Sequence, residues 1–460
     1  MNRVLTISAL TWKAAFRYRL FWLLSGLLVA AVVGLPLLIK DDGTAQGLTQ
    51  ILLTYTLSAI TAILGFATLW IACGSLARDI DECQIQMVVT KPVARWQIWL
   101  GKWLGILGLN AVLLALSGAA VFIFLTNRAS HLPADQQNVL RQDIFVARAS
   151  FKQPPPDYAG EAERALQDAA KLNNIPDDQK PEVRKMLLDR IKSGSEVVPP
   201  GYMKRWTIDT GVLKNFVQDR PLQLRVRFRT SRYNDGETYP TVWIIGDPDL
   251  PSSQRMTQVL PPESFQEFNI PNLIDNNGKL TIDVANPPSN GVDLLFDAND
   301  GLEVLYPESS FGINFIRGLL IIFCWLTLLT TIGLAAGSLL SFPVAAFFSL
   351  AVLVIGFSSG TISAAVESRT PVSSFIEHSG APQPTILDNA VAGLLSKVLA
   401  VIKLVQAFSP IDSLSAGRSI TWLQLGTAIA QIVFLMGGIF IALGITFFTR
   451  RELAAVQATS

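Results

Sequence analysis

An α-helical polytopic membrane protein with six transmembrane helices, carrying an inserted extracytoplasmic α+β domain that contains a β-sandwich, is the fold class this sequence predicts. Three observations carry that reading. Half of the 460 residues are hydrophobic and only 16% are charged, with a mean hydropathy of +0.38, which is more apolar material than a soluble core of this length uses. Six runs reach the roughly 20 apolar residues that a helix needs to cross the hydrocarbon. A long polar stretch, 128–310, separates the first three runs from the last three and changes from helical to two-residue periodicity along its length.

The six runs are Leu20 to Ile39, Ile51 to Leu76, Trp103 to Leu125, Ile313 to Leu340, Val344 to Ala365 and Leu423 to Phe448. The first has the basic flank of a secretory signal, but it is too long and lacks a small-x-small cleavage site before Lys40, so it is expected to be retained. Ahead of it, Leu5 to Tyr18 mixes Trp12 and Phe16 with Lys13 and Arg17, as does a helix lying in the membrane interface; an ordinary basic flank accounts for it equally well. In a six-span arrangement Lys13, Arg17, Arg19, Arg78, Lys91, Arg95, Lys102, Arg450 and Arg451 share one side, which the positive-inside rule makes the cytosol. Leu387 to Phe408 is apolar enough to suggest a seventh span. Asn389, Ser396 and Lys403 recur on one face of it every seven residues, so the segment 386–408 is expected to be an outer amphipathic helix.

The cytosolic assignment puts 128–310 on the periplasmic side of a bacterial inner membrane, between a first block, 1–127, and a last, 311–460. Its first part, 130–195, reads as helical, with EAERALQDAAKLNN and KPEVRKMLLDRIKSG parted by Pro176 and stopped by Val197 to Gly201. Its second part, 202–308, reads as the β-sandwich. Leu222, Leu224, Val226 and Phe228 alternate with Gln223, Arg225, Arg227 and Arg229, and turns at Asn234-Asp235-Gly236, Asn276-Asn277-Gly278 and Asn299-Asp300-Gly301 divide short strands. Arg225, Arg227 and Arg229 are expected to face out, either as a solvated sheet face, the favoured reading, or as a face for an anionic ligand. Asp293, Asp297, Asn299 and Asp300 do not have calcium-loop spacing and are expected in a hairpin turn. Tyr202, Trp206, Tyr233 and Trp243 could stack on sugar rings, but aromatics in a sandwich are more often core, which is the favoured reading.

Chemistry motifs bound the function by exclusion. With Cys73, Cys83 and Cys324 in or beside apolar runs and only His131 and His378, no disulfide is expected in the polar insert and no metal site anywhere. There is no G-x-x-x-x-G-K-[ST] and no H-E-x-x-H, so no catalytic residue and no cofactor are assigned to this chain. A net charge of +1 provides no field for nucleic acid. The spans are read as lacking buried Asp, Glu or Arg, which disfavours a proton-driven transporter.

Between the second and third runs, the charged elbow 77–103 has Arg78, Asp79, Asp81, Ile85, Met87 and Val88 in its helical part. Lys91, Pro92, Ala94 and Arg95 form a turn, and Ile98, Gly101 and Lys102 lead into the next span. This pattern resembles the loop between the second and third spans of type-2 ABC transporter permeases, with Asp79 and Asp81 where Glu is usual. Phe448-Thr449-Arg450-Arg451-Glu452 is similar to that family's finish to its sixth span. The resemblance covers the six spans and not the insert. It implies a non-catalytic permease embedded in the lipid bilayer, paired with a second permease copy or paralogue. ATP and magnesium would then sit on a separate cytosolic ABC ATPase subunit docked at the elbow through Arg78, Asp79, Asp81, Glu82, Lys91, Pro92, Arg95, Gly101 and Lys102. The acidic residues of the elbow suit a polar protein interface, and Trp96, Trp99 and Trp103 are expected to fix its depth in the headgroup layer. The alternatives are a non-transporting receptor or anchor and a mechanotransmission protein, either of which uses the insert to bind an envelope partner.

Overall fold

The computed structural model describes residues 2–17, 19–38, 45–82, 85, 93–154, 156–173, 176, 180–217, 220–232, 236–248, 251, 253–297, 301–357 and 408–451. Most of the amphipathic segment 386–408, the turn residues Asn234, Asp235, Asn299 and Asp300, and Cys83, Lys91 and Pro92 of the elbow lie outside them. The chain forms two compact units, one of residues 1–147 with 309–460 and one of Arg148–Glu308. Residues 128–147, expected in the insert, belong to the first unit, because the third run continues as helix to Ser130 and the next helix supplies Leu140 to the helical core.

The first unit consists of α1 (Asn2–Ala15), α2 (Arg19–Leu38), α3 (Ala45–Asp81), α4 (Arg95–Ser130) and α5 (Ala134–Asp143), with later helices described below. Among the described residues four helices are long and apolar enough to cross a membrane: Thr49–Asp81, Arg95–Ser130, Phe311–Leu339 and Trp422–Arg450. This is a multi-pass membrane protein with an inserted region of antiparallel β-sheets. The first and fifth expected spans are shorter apolar helices, Phe21–Pro36 and Phe342–Val352.

Small residues set the closest helix contacts. A Cβ at Gly101 would fall 2.7 Å from Ile7, one at Gly105 2.7 Å from Thr11, and one at Gly108 3.2 Å from the Trp12 ring. The Gly101-x-x-x-Gly105 row is therefore the bed in which α1 runs alongside the start of α4, as small residues in membrane helices permit.

Among the described residues the second unit holds α6 (Tyr158–Asn173), α7 (Lys180–Glu196) and eleven strands, several of them where the alternation and turns predict them. In chain order the strands are β1 (Val146–Phe151), β2 (Val197–Val198), β3 (Met203–Asp209), β4 (Leu222–Val226), β5 (Phe228–Thr230) and β6 (Tyr239–Ile245). They continue with β7 (Gln254–Leu260), β8 (Gln266–Ile270), β9 (Lys279–Ala285), β10 (Leu294–Phe296) and β11 (Leu302–Ser310). They form three sheets, ordered β1-β11-β4-β8, β2-β10-β5 and β3-β9-β6-β7. One apolar core unites the sheets, with Trp206, Leu224, Phe228, Trp243, Ile282, Phe296 and Val304 among its members. Gly278, at φ 78°, makes the turn after Asn276-Asn277, where the Asp275 carboxylate accepts the Asn277 and Lys279 N–H groups at 2.8 and 2.7 Å.

Three further helices of the first unit follow: α8 (Phe311–Leu339), α9 (Phe342–Phe357) and α10 (Trp422–Arg450). A π-helical stretch, Ile429–Gly437, interrupts α10 just before Gly438. Gly333 and Gly337 of α8 bring it against α3, where Cβ atoms would meet Ala72 at 2.7 Å and the Cys73 carbonyl at 2.9 Å. One expectation fails here. Arg317 of α8 is a buried arginine inside a span, 6% exposed. Its Nη1 donates to the Ile420 carbonyl at 2.9 Å and its guanidinium lies 4.4 Å from the Trp422 ring centroid, while Asn314 accepts the Ile420 N–H at 2.8 Å. That charge is used to pin the segment 418–422 against α8, a partner 103 residues away at Ile420 that the local pattern does not show.

Candidate functional site

The elbow begins as the last turns of α3, which stays helical to Asp81 because its i→i−4 bonds continue, Glu82 N–H still donating to the Arg78 carbonyl at 2.8 Å. The opposite arm, α4, opens at Arg95 with the Ala94 N–H on the Gln97 side chain at 3.3 Å. Ile85, from the stretch between them, is 1% exposed and sits in a core with Leu76, Ile98, Trp99 and Phe448. Among the described residues this end of the helical unit is therefore packed.

The predicted site residues divide by what they touch. Lys102 is buried, its ammonium 2.6 Å from Asp79 Oδ2 and 2.5 Å from the Ser75 carbonyl, so this pair ties α4 to α3. Arg95 Nη1 gathers the carbonyls of Phe448, Thr449 and Arg451 at 3.3, 2.8 and 2.9 Å, a cationic cap on the negative end of α10. Arg451 does the same for α8 through the Ser338 carbonyl at 3.2 Å. Arg78 lies 4.1 Å from the Phe342 ring centroid, and Asp81 accepts the Phe342 N–H at 3.1 Å, favourable for an anion at the first turn of α9. Gly101 is the seat of α1. On the outer surface stand Asp81, Glu82 and Trp96, which is 46% exposed.

Asp79, Arg95 and Lys102, expected at the docking elbow, make contacts within the bundle. One expectation needs correction at this site. Trp99 and Trp103, read as headgroup anchors, instead turn inward and donate to Ser338 Oγ at 3.2 Å and Thr331 Oγ1 at 3.0 Å. Their signal in the sequence is the four-residue spacing from Trp99 to Trp103, which puts both on one helical face.

The arginine ladder of the second unit needs a further correction. Leu224, Val226 and Phe228 face the core as expected, but Arg225 is buried as well and not part of an open face. It stands between its cross-strand partners Glu303 of β11, at 2.7 Å, and Glu267 of β8, at 3.4 Å, and under the Phe265 ring at 3.7 Å. Arg148 of β1 joins Glu267 at 2.8 Å and bonds Gln223. Arg227 falls at the break between β4 and β5, beside Phe265, and only Arg229 is fully exposed. The three arginines thus form no common binding face. Among the described residues no cluster of His, Cys, Asp and Glu is arranged to hold a metal ion.

The chain was compared with protein-family models, curated proteins and solved structures, and none of them matches it.

Proposed function

We propose that this protein is the transmembrane permease subunit of an ATP-binding cassette transporter in a bacterial inner membrane. It has six spans, both ends in the cytosol, residues 148–308 outside the cytosol, and a separate ATPase subunit docked at the elbow. The observation that carries the reading is the elbow pattern itself, Arg78 to Lys102, which resembles the corresponding loop of type-2 ABC permeases. The geometry is compatible with force transfer. A push at the exposed tip of α3 reaches α4 through Asp79 and Lys102, and the α4 residue Arg95 holds α10. Rigid, ion-paired helix ends transmit displacement where a solvated loop would absorb it.

The test follows the division of the charges. Asp79→Lys would set two ammonium groups together in a buried site, so it reports on folding and not on docking. The informative variant is Glu82→Lys with Trp96→Glu, on the exposed surface. Full-length protein purified from its own membranes should bring down a vanadate-sensitive ATPase activity, and the double variant should lose that activity while inserting normally. Retention of the ATPase by the double variant, or its absence from the wild-type preparation, refutes the reading.

A further inference from the structure

Within the second unit, the start of α6 and the end of α7 meet β2, β3 and β10 around an open cleft of about 380 Å³. That size falls in the roughly 300–1,000 Å³ range of small-ligand clefts. Val198, Trp206, Phe296 and Leu302 make a buried apolar floor. The walls are polar at chosen points. Tyr158 Oη accepts a hydrogen bond from Ser195 Oγ at 3.1 Å, which fixes the ring's position. The Lys204 ammonium lies 4.5 Å from the Trp206 ring centroid and donates to the Ser195 carbonyl.

Three features of the cleft specify its ligand. Burial pushes Lys204 below the ordinary lysine value, with Glu196 opposing, so the ammonium is held in a site that only partly solvates it. An ammonium has three donors, and a carbonyl and a ring face do not exhaust them, which leaves capacity for an anion. Of the aromatic residues suited to sugar stacking, Trp206 and Trp243 belong to the core, whereas Tyr202 stands at the cleft mouth with 68% of its surface exposed. A flat exposed ring above an apolar floor suits a ligand with one apolar face and polar edges, as a pyranose has.

We propose that this cleft binds a saccharide bearing a carboxylate, with Tyr202 stacked on a sugar ring and Lys204 paired with the acid. A bare carboxylate leaves Tyr202 unused, and a neutral sugar adds no charge for the ammonium beyond Glu196, which already acts on it, and Asp297, which also lines the cleft. The assignment does not depend on the ATPase-docking reading, since it rests on the second unit alone. A soluble acidic glycan and a membrane glycolipid headgroup offer the same chemistry.

The experiment is calorimetric titration of the full-length protein in nanodiscs with digalacturonate, neutral galactobiose and a tripeptide with a free C-terminus. Digalacturonate should bind and the other two should bind at least about tenfold more weakly. Tyr202→Ala and Lys204→Met should each weaken digalacturonate about tenfold, with Lys204→Arg retaining most of the affinity. Raising the pH should weaken digalacturonate as Lys204 discharges, earlier than an exposed lysine would. Failure of digalacturonate to bind, equal binding of galactobiose, preference for the tripeptide, or unchanged affinity in both Tyr202→Ala and Lys204→Met overturns the proposal. Given binding, repeating the titration in nanodiscs containing glucuronosyl diacylglycerol identifies the source. Competition assigns the lipid headgroup, and undiminished binding assigns the soluble glycan.

Discussion

Arg225 shows what a single residue's partners add to its place in a pattern. The alternation along 222–229 places it opposite Leu224 and Val226, yet the side away from the core is occupied by Glu267 and Glu303, the latter 1% exposed. Removing the guanidinium strands a buried carboxylate, so Arg225→Gln should cost roughly 3–5 kcal/mol, whereas Arg229→Gln should lie within about 0.5 kcal/mol of wild type. Urea unfolding of residues 148–308 measures both. Phe228→Ala should cost a similar 3–5 kcal/mol, because Phe228 is 2% exposed between Phe296 and the rest of the core. The inward turn of the strand was legible in 222–228, and the ion pair was not, since its acids lie some 40 and 80 residues downstream. A hint stands in Leu302 to Tyr306, where Leu305 shares a face with Glu303 and marks that face as covered.

At the scale of elements, legibility follows periodicity. The helices α6 and α7, the strand β4 and the turn at Gly278 are strongly patterned and appear where the sequence puts them. By contrast β7, QRMTQVL, has one buried residue in seven and lies at a sheet edge, so it has no apolar face to announce it. β1 was hidden in a stretch read as helical, because Arg148 on its buried side disguises the alternation. The N-terminal helix itself is legible, but the glycine row that seats it on α4 is visible only once both helices are placed. Gly105→Val should therefore unseat α1, since even a Cβ meets Thr11 at 2.7 Å and the Ser8 carbonyl at 2.9 Å. Trypsin cleavage after Lys13 and Arg17 in the folded protein should accelerate several-fold over wild type; an unchanged digestion rate would show that α1 has another anchor.

For the whole molecule, the second unit draws its apolar core, among the described residues, from positions between 149 and 306, so residues 148–308 expressed alone should unfold in one cooperative transition. An aggregated product would show that the core is not self-sufficient. Six spans with cytosolic ends predict opposite exposures for two surface residues. With Cys83 replaced, cysteine at Lys185 should react with a membrane-impermeant maleimide in intact cells, and cysteine at Glu82 only after lysis. Both reacting in intact cells would refute the topology. Among the described residues four of the six expected spans are helices long and apolar enough to cross a membrane, and the other two are shorter apolar helices.

Arg95 also sets a schedule for biogenesis. Its acceptors at Phe448, Thr449 and Arg451 lie 353 to 356 residues later in the chain. At roughly 5–20 residues per second, a ribosome delivers them about 20–70 s after Arg95 itself. Throughout that interval the guanidinium waits for residues not yet made, and the Ser338 carbonyl, itself made later, waits a further 113 residues for Arg451. A nascent chain halted before residue 448 would thus leave the insertion machinery with its helices placed but this end unlatched. Quality-control proteases that sample open helix ends would have the same interval in which to tell a stalled chain from a finished one.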